Sequence, residues 1–288
     1  MDSGFVSSAE HAPAKINLAL HVTGQRADGF HLLESLVVFT EFGDHITVVA
    51  AEEDSFVVMG HFAAQVPLDG GNLVIRARDA LREAYPDAAA APVAITLEKN
   101  LPIASGIGGG SSDAAAALRA LARHWNIDAD LSVLALRLGA DVPMCLLARP
   151  LLARGIGEIV DPLENYPALP LVLVNPGIGV ATPDVFRALE SRENPSFSPP
   201  PADPEPAHVI EWLRATRNDL ETPAKALAPA ITEALDALRG TGAAFVRMSG
   251  SGATCFGVFE TTGAAANAAN AIEQAKPGWF SVATSSMR

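Results

Sequence analysis

The chain has 288 residues, 49% of them hydrophobic and 18% charged, with a formal net charge of −13. That length accommodates one large core or, as we expect here, two domains. So acidic a chain is a poor candidate for gripping nucleic acid through its phosphates, yet local positive potential can still hold a small anionic ligand. Cys145 and Cys255 each lie in an apolar segment without metal-ligand spacing, which predicts buried free thiols and no disulfide framework. The first residues lack a basic region followed by an apolar run, so no signal peptide is expected. The most apolar long stretch, Leu131 to Leu152, is broken by Arg137, Asp141 and Arg149. No membrane span is expected, and the chain reads as cytoplasmic.

KINLALHVTG (Lys15–Gly24) alternates and predicts a strand, and Asp28-Gly29 after it marks a turn. HLLESLVVFT is apolar enough for helix or strand, and DHITVVA is a strand. NLVIRARDALREAY (Asn72–Tyr85) predicts an amphipathic helix with Leu73, Ala77, Ala80, Leu81 and Ala84 on one side. PVAITLEKNLP is a strand ending at Pro102. GIGGGSSD follows as a loop, then an alanine-rich helix. LSVLALRLGA (Leu131–Ala140) predicts a helix ended by Gly139, and LPLVLVNP (Leu169–Pro176) a short buried strand. The Pro-rich run from Asn194 to His208 predicts an extended, mobile excursion. WLRATRNDLE and APAITEALDALRG read as helices. GAAFVRMSGSGATCFGVFE reads as strand, glycine turn and strand. TGAAANAANAIEQA is a helix and WFSVATSS a closing strand. No internal repeat is visible. Pro162, Pro167 and Pro170 place the domain boundary near residues 162–170, which divides the chain into 1–165 and 166–288.

The loop at Gly106–Asp113 has four glycines within five residues, then Ser111 and Ser112. A strand, a glycine run and a helix start together make an anion site. Glycines let successive backbone N–H groups converge, and the first helical turn adds donors without partners. The two serines could cap the helix or donate to a phosphate oxygen. Asp113 could match the helix dipole as a first-turn acid. A Walker loop needs a lysine before its Ser/Thr, and none is present. A dinucleotide fingerprint needs glycine at Ser111 or at Asp113. A different nucleotide-binding architecture is indicated.

APAKINLAL (Ala12–Leu20), LPIASGIGGGSSDAA (Leu101–Ala115) and MSGSGATCF (Met248–Phe256) stand in one order across most of the chain. Together they resemble the GHMP family of small-molecule kinases. The resemblance implies an α+β, two-domain GHMP kinase fold, with an N-terminal domain like the second domain of ribosomal protein S5 and a ferredoxin-like C-terminal domain. GQRADGFH, GGGSSDAAA and GADVPMCL narrow the match to a branch of that family that phosphorylates a cytidylated alcohol for isoprenoid synthesis. The co-substrate would be ATP. Mg2+ is expected with it, although the sequence displays no dedicated carboxylate cage.

Carried over residue by residue, the resemblance makes Asp141 the base and a substrate contact, with Lys15 beside it. A nearby ammonium keeps a carboxylate ionised and stabilises charge on the transferring phosphoryl group. ATP would be held by Asn72 and Lys99 near the adenine and by Pro102, Ile103, Ala104, Ser105, Gly106, Ile107, Gly108, Gly109, Gly110, Ser111 and Ser112. Lys99 could equally be a solvated strand-end lysine. Asn17 shares a strand face with Lys15 and is a candidate substrate contact. Phe30 and His31 stand where the family branch has Tyr-His, so a stacking face survives while the phenol hydroxyl is lost. Phe186 is the expected second aromatic wall. Gly250, Ser251 and Gly252 allow close backbone approach beside phosphate or substrate. No metal ligand set, nucleic-acid partner or membrane partner is expected, and the chain would act as a monomer or homodimer. Two alternatives stay open: a family kinase for mevalonate, homoserine or a sugar, and a catalytically silent nucleotide-binding regulator.

Overall fold

The computed structural model describes residues 7–202 and 204–288. In chain order the elements are β1 (Ser8–Gln25), β2 (His31–Ala50), β3 (Ser55–Met59), α1 (Leu73–Ala84), β4 (Val93–Glu98), α2 (Gly109–His124), α3 (Ser132–Leu138), α4 (Val142–Leu147), β5 (Leu151–Gly155), β6 (Ile159–Pro162), β7 (Pro170–Asn175), α5 (Thr182–Arg187), α6 (Pro206–Arg214), α7 (Glu221–Leu227), α8 (Ala230–Gly240), β8 (Phe245–Met248), β9 (Cys255–Val258), α9 (Thr262–Ala275) and β10 (Phe280–Ser285). HLLESLVVFT and DHITVVA form one strand, β2. Ser35 to Thr40 within it are all buried, so both faces are covered and the segment lacks the polar alternation that marks a half-exposed strand.

The chain divides into two compact units. The first holds residues up to Ala14, Gly43–Ile103 and Gly108–Leu147. Here the second half of β2 pairs antiparallel with β4, from His45↔Glu98 to Ala50↔Val93, and β3 lies parallel to β4. Helix α1 buries Val74, Ala77 and Leu81. Its buried stripe therefore runs through Val74, and Ala84 of the expected set is exposed. Helix α2 is buried from Ser112 to Leu118, and its run of alanines lets neighbouring elements approach closely. Arg119 of α2 donates from Nε to Glu10 Oε2 (2.8 Å) and from its terminal nitrogens to the carbonyls of His11 (2.9 Å) and Cys145 (3.2 Å). One side chain thus ties α2 to β1 and α4.

The second unit holds Lys15–Phe42, Ala104–Ile107 and Ala148–Arg288. The first half of β2 pairs antiparallel with β5, and β5 with β6. A separate antiparallel sheet has the order β10-β7-β9-β8. Its core joins Val172 and Val174 of β7 to Leu235 and Leu238 of α8, Ile272 of α9, and Leu20 and Val22 of β1. The helix expected over WLRATRNDLE is broken between Arg214 and Glu221. Asn218 causes the break. Its Nδ2 donates to the carbonyls of Met248 and Gly250, both at 2.8 Å, while its Oδ1 accepts from Leu220 N–H.

Among its described residues the Pro-rich run has no regular element before α6, in keeping with an extended course, and its first part, from Asn194 to Ser198, is anchored. The Asn194 N–H donates to Val22 (3.1 Å), and the Phe197 N–H to Glu34 (3.2 Å). Phe197 itself is buried, with its ring edge-on to both His21 and Trp212. His21 Nε2 accepts from Arg217 N–H (3.1 Å), so Nδ1 carries the proton and donates to the Pro195 carbonyl (3.0 Å). Both cysteines are buried, as expected. Among the described residues no helix is long and apolar enough to cross a membrane.

Candidate active site

In the second unit, two of the three sequence motifs meet the first half of the glycine loop through backbone. Gly106 adopts φ +75°, and a Cβ built there would lie 2.5 Å from the Ser249 carbonyl oxygen and 2.7 Å from Gly252 N. A Cβ on Gly250 would lie 2.6 Å from the Gly106 oxygen. These glycines are required because main chain packs on main chain. Ser249 Oγ donates to the Gly106 carbonyl (3.0 Å) and accepts from Asn17 N–H (3.1 Å). Thr254 N–H donates to the Ser105 carbonyl (3.0 Å), and Lys15 N–H to the Ile107 carbonyl (2.8 Å). The close approach foreseen for Gly250 and Gly252 is thus an approach to the loop itself.

The second half of the loop opens helix α2 in the first unit. The N-cap is Gly108, in the left-handed region at φ 65° and ψ 20°. Ser111 and Ser112 therefore lie inside the first turn and do not cap it, which corrects the sequence reading. The first i→i−4 bond runs from Ser112 N–H to the Gly108 carbonyl (2.9 Å). The N–H groups of Gly109, Gly110 and Ser111 precede it and have no intrahelical acceptor. That is the anion-binding arrangement of a helix start. Ser112 Oγ is buried and donates to the Pro13 carbonyl (2.6 Å), so its proton is already engaged.

Lys99 is no solvated strand-end lysine. It is buried, and its Nζ lies 2.6 Å from both Asp44 Oδ2 and Asp113 Oδ2. Burial opposes the Lys99 charge, but the Asp113 and Asp44 carboxylates outweigh it and raise its pKa. Asp113 sits beyond the first turn and is buried, so it is not an exposed dipole-matching acid. Asn72 acts as the N-cap of α1: its Oδ1 accepts from Val74 N–H and its Nδ2 donates to the Pro67 carbonyl, both at 2.8 Å. Asp44 was missed by sequence reading. Its only signal was an acid directly after a glycine inside an apolar strand.

Asn17 is buried in β1, with Nδ2 donating to Ser35 Oγ (2.8 Å) and Oδ1 without a partner. Ser35 in turn donates to the Ala19 carbonyl (2.6 Å). A buried acceptor without a donor is costly, and it is a natural place for a ligand hydroxyl. His31 stacks on Phe186, with ring centroids 4.7 Å apart at 25°. Its Nε2 is buried without a partner. Burial, helped by the Arg192 charge, lowers its pKa, so the ring is neutral at pH 7. Phe30 lies beside it in the turn, 58% exposed. Lys15 is buried in the second unit. Asp141 is half-buried between α3 and α4 in the first, where its carbonyl accepts from Cys145 N–H (3.2 Å). Among the described residues no group of three or more His, Cys, Asp or Glu could hold a metal.

Comparison with known proteins decides the family. The model for the GHMP kinases N-terminal domain matches residues 72–149, and that for the GHMP kinases C-terminal domain matches residues 207–278. The chain belongs to the GHMP kinases. Within that family it is 56% identical to the 4-diphosphocytidyl-2-C-methyl-D-erythritol kinase of Mesorhizobium japonicum, over 100% of this chain and 98% of the relative. To the protein of the same name from Agrobacterium fabrum it is 52% identical, over 98% and 97%. A crystal structure of 4-(cytidine 5'-diphospho)-2C-methyl-D-erythritol kinase superimposes with a TM-score of 0.81 at 36% identity, covering 97% of this chain and 100% of that one. A homoserine kinase from Cytophaga hutchinsonii, at 16% identity and a TM-score of 0.69 over 100% and 96%, shares the fold. This GHMP kinase therefore has the α+β, two-domain fold expected from its motifs.

Proposed function

We propose that this GHMP kinase transfers the γ-phosphoryl group of ATP to the 2-hydroxyl of 4-diphosphocytidyl-2-C-methyl-D-erythritol, a step of the non-mevalonate route to isoprenoid precursors. The observation that carries the reading is end-to-end similarity, at 52–56% identity, to kinases of that name. Local geometry supports it. The first turn of α2 offers backbone donors for phosphate oxygens. The His31–Phe186 ring pair, with a free Nε2 on a neutral imidazole, offers a π face and a hydrogen-bonding edge suited to a pyrimidine.

Phosphoryl transfer needs a cradle for the phosphates, stabilisation of the moving charge and an acceptor for the hydroxyl proton. In our reading the loop from Pro102 to Ser112 is the cradle. Asp141 takes the proton and Lys15 stabilises the phosphoryl charge. Asn17 Oδ1 accepts a hydrogen bond from the polyol, while Phe30, His31 and Phe186 hold the cytosine. Asn72 and Lys99 border the adenine side. Mg2+, with ligands drawn from the phosphates and water, would neutralise phosphate charge when bound. The family matches fall on either side of residues 162–170, and we take 1–165 and 166–288 as the two domains, in sequence, of a cytoplasmic monomer or homodimer. Residues 15–42, 104–107 and 148–165 pack into the second compact unit.

A coupled ADP-release assay across candidate alcohols tests the reading. Turnover is expected with the cytidylated methylerythritol and not with mevalonate, homoserine or free sugars. Equal turnover on one of those would replace the assignment, and nucleotide binding without turnover on any of them would leave a silent regulator.

A further inference from the structure

Beneath the first turn of α2 lies a buried cluster whose two acids, Asp44 and Asp113, the mechanism above does not use. Lys99, at the end of β4, places Nζ 2.6 Å from Asp44 Oδ2 on β2 and 2.6 Å from Asp113 Oδ2 on α2. All three are almost fully buried. A Cβ on Gly109, the first residue of α2, would lie 3.1 Å from that Nζ and 3.9 Å from Asp44 Oδ2. The ammonium therefore sits directly behind the helix start, with one acid on the sheet side and one on the helix itself.

We propose that Lys99, Asp44 and Asp113 are positioning residues for the phosphate-binding turn, and that the net charge of this triad sets ATP affinity. The proposal rests on reading the loop as the phosphate site. Fully ionised, two carboxylates and one ammonium leave a formal −1 behind the helix N-terminus, opposing the attraction of the dipole for an anion. One proton on the acid pair removes that charge. Asp44 is the wrong place for it: Oδ1 accepts from the N–H groups of Asn100 (2.6 Å) and Leu101 (2.8 Å), which favour the carboxylate. Asp113 has Oδ1 without a partner and the ammonium on Oδ2, and its side-chain hydrogen bond with Asp44 favours the protonated form. Burial, then the Asp44 charge, push its carboxyl up to about 8 against the pull of Lys99. The charged groups facing Asp113 are Lys99, the residue after β4, and Asp44 from β2. The His11 and His45 rings lie 5.2 Å apart, tilted at 41°, and the field of Asp44 acts on His11. At pH 7 the triad is neutral; above about pH 8 it becomes anionic behind the triphosphate.

The test compares wild type with Asp113→Asn, which keeps the shape and fixes the neutral state. The ATP KM of wild type should rise about threefold to tenfold between pH 7.5 and 9.5, with kcat moving less, as expected for one added charge screened by protein. Asp113→Asn should stay flat at the low value. A flat wild-type profile, or an Asp113→Asn profile that follows the wild-type slope, overturns the proposal. Calorimetry of ADP binding to the unmodified enzyme at pH 8.5, in two buffers of different ionisation enthalpy, gives an independent reading. Proton uptake is expected, and its absence overturns the proposal. Gly110→Asp, whose Cβ meets nothing closer than Leu73 at 3.8 Å, separates the two levels of inference. If it binds ATP like wild type, the phosphate-loop reading fails. If it loses ATP while Asp113→Asn keeps the wild-type slope, only the triad fails.

Discussion

Single side chains decide whether this site does chemistry. Asp141→Asn keeps the shape but removes the base proposed above, so phosphoryl transfer should be abolished while equilibrium binding of ATP survives. Full turnover in that variant would remove Asp141 from the reaction. Lys15→Ala should lower kcat about 100-fold or more, and a near-normal rate would show that this lysine only shapes β1. At this scale the sequence was informative wherever residues act near their own motif. Asn17 could be placed by strand alternation alone. It could not reveal Ser35, which engages Asn17 Nδ2 from 18 residues away. Nor could it reveal that Lys99 is neutralised by Asp44, 55 residues earlier. Such pairings depend on strand register, which the local pattern does not encode.

Among the elements, the turn between β8 and β9 is the one most tightly specified. Gly250→Ala would push a methyl into the Gly106 carbonyl oxygen and force φ +54° on a residue with a Cβ. The expected loss is about 2 kcal/mol or more, read as a lowered melting temperature together with a raised ATP KM. Gly240→Ala, where an added Cβ meets nothing, should change neither. Helices and strands with clean periodicity were legible: α8, α9 and β7 fall within two residues of their expected spans, whereas β4 ends at Glu98, four residues short of Pro102. Element ends were harder. The serines after the glycine run suggested a cap, but Gly108 can take the left-handed conformation and starts the helix earlier. The Pro-rich run reads as mobile because proline removes donors. Its remaining groups, from Asn194 to Ser198, nevertheless find partners on β1, β2 and α6.

For the molecule as a whole, three histidines, His21 buried and His11 and His31 half-buried, contribute to the acid limb of stability. Burial is the leading cause of the lowered pKa values of His11, His21 and His31. Above the ordinary value of 6.5 both folded and unfolded chains carry neutral rings, and the stabilisation is complete. As pH falls below that value, the unfolded chain takes up protons that the folded one resists, so stability drops. The melting temperature should therefore be level from about pH 7 to 8 and decline toward pH 5. His21→Asn should be less stable at pH 7 but show a shallower decline, since the neutral ring bridges Arg217 and Pro195.

Strands β1 and β2 each contribute residues to both compact units. Leu20 and Val22 leave the ribosome early, yet the core they complete includes Leu220, Leu235 and Ile272. At about 5–20 residues per second, those first apolar strands wait on the order of 10–40 s for their partners. Translation products ending near residue 165 should therefore be cleaved readily within β1 and captured by chaperones. A separately expressed 166–288 fragment should remain unfolded until the missing N-terminal strands are supplied in trans.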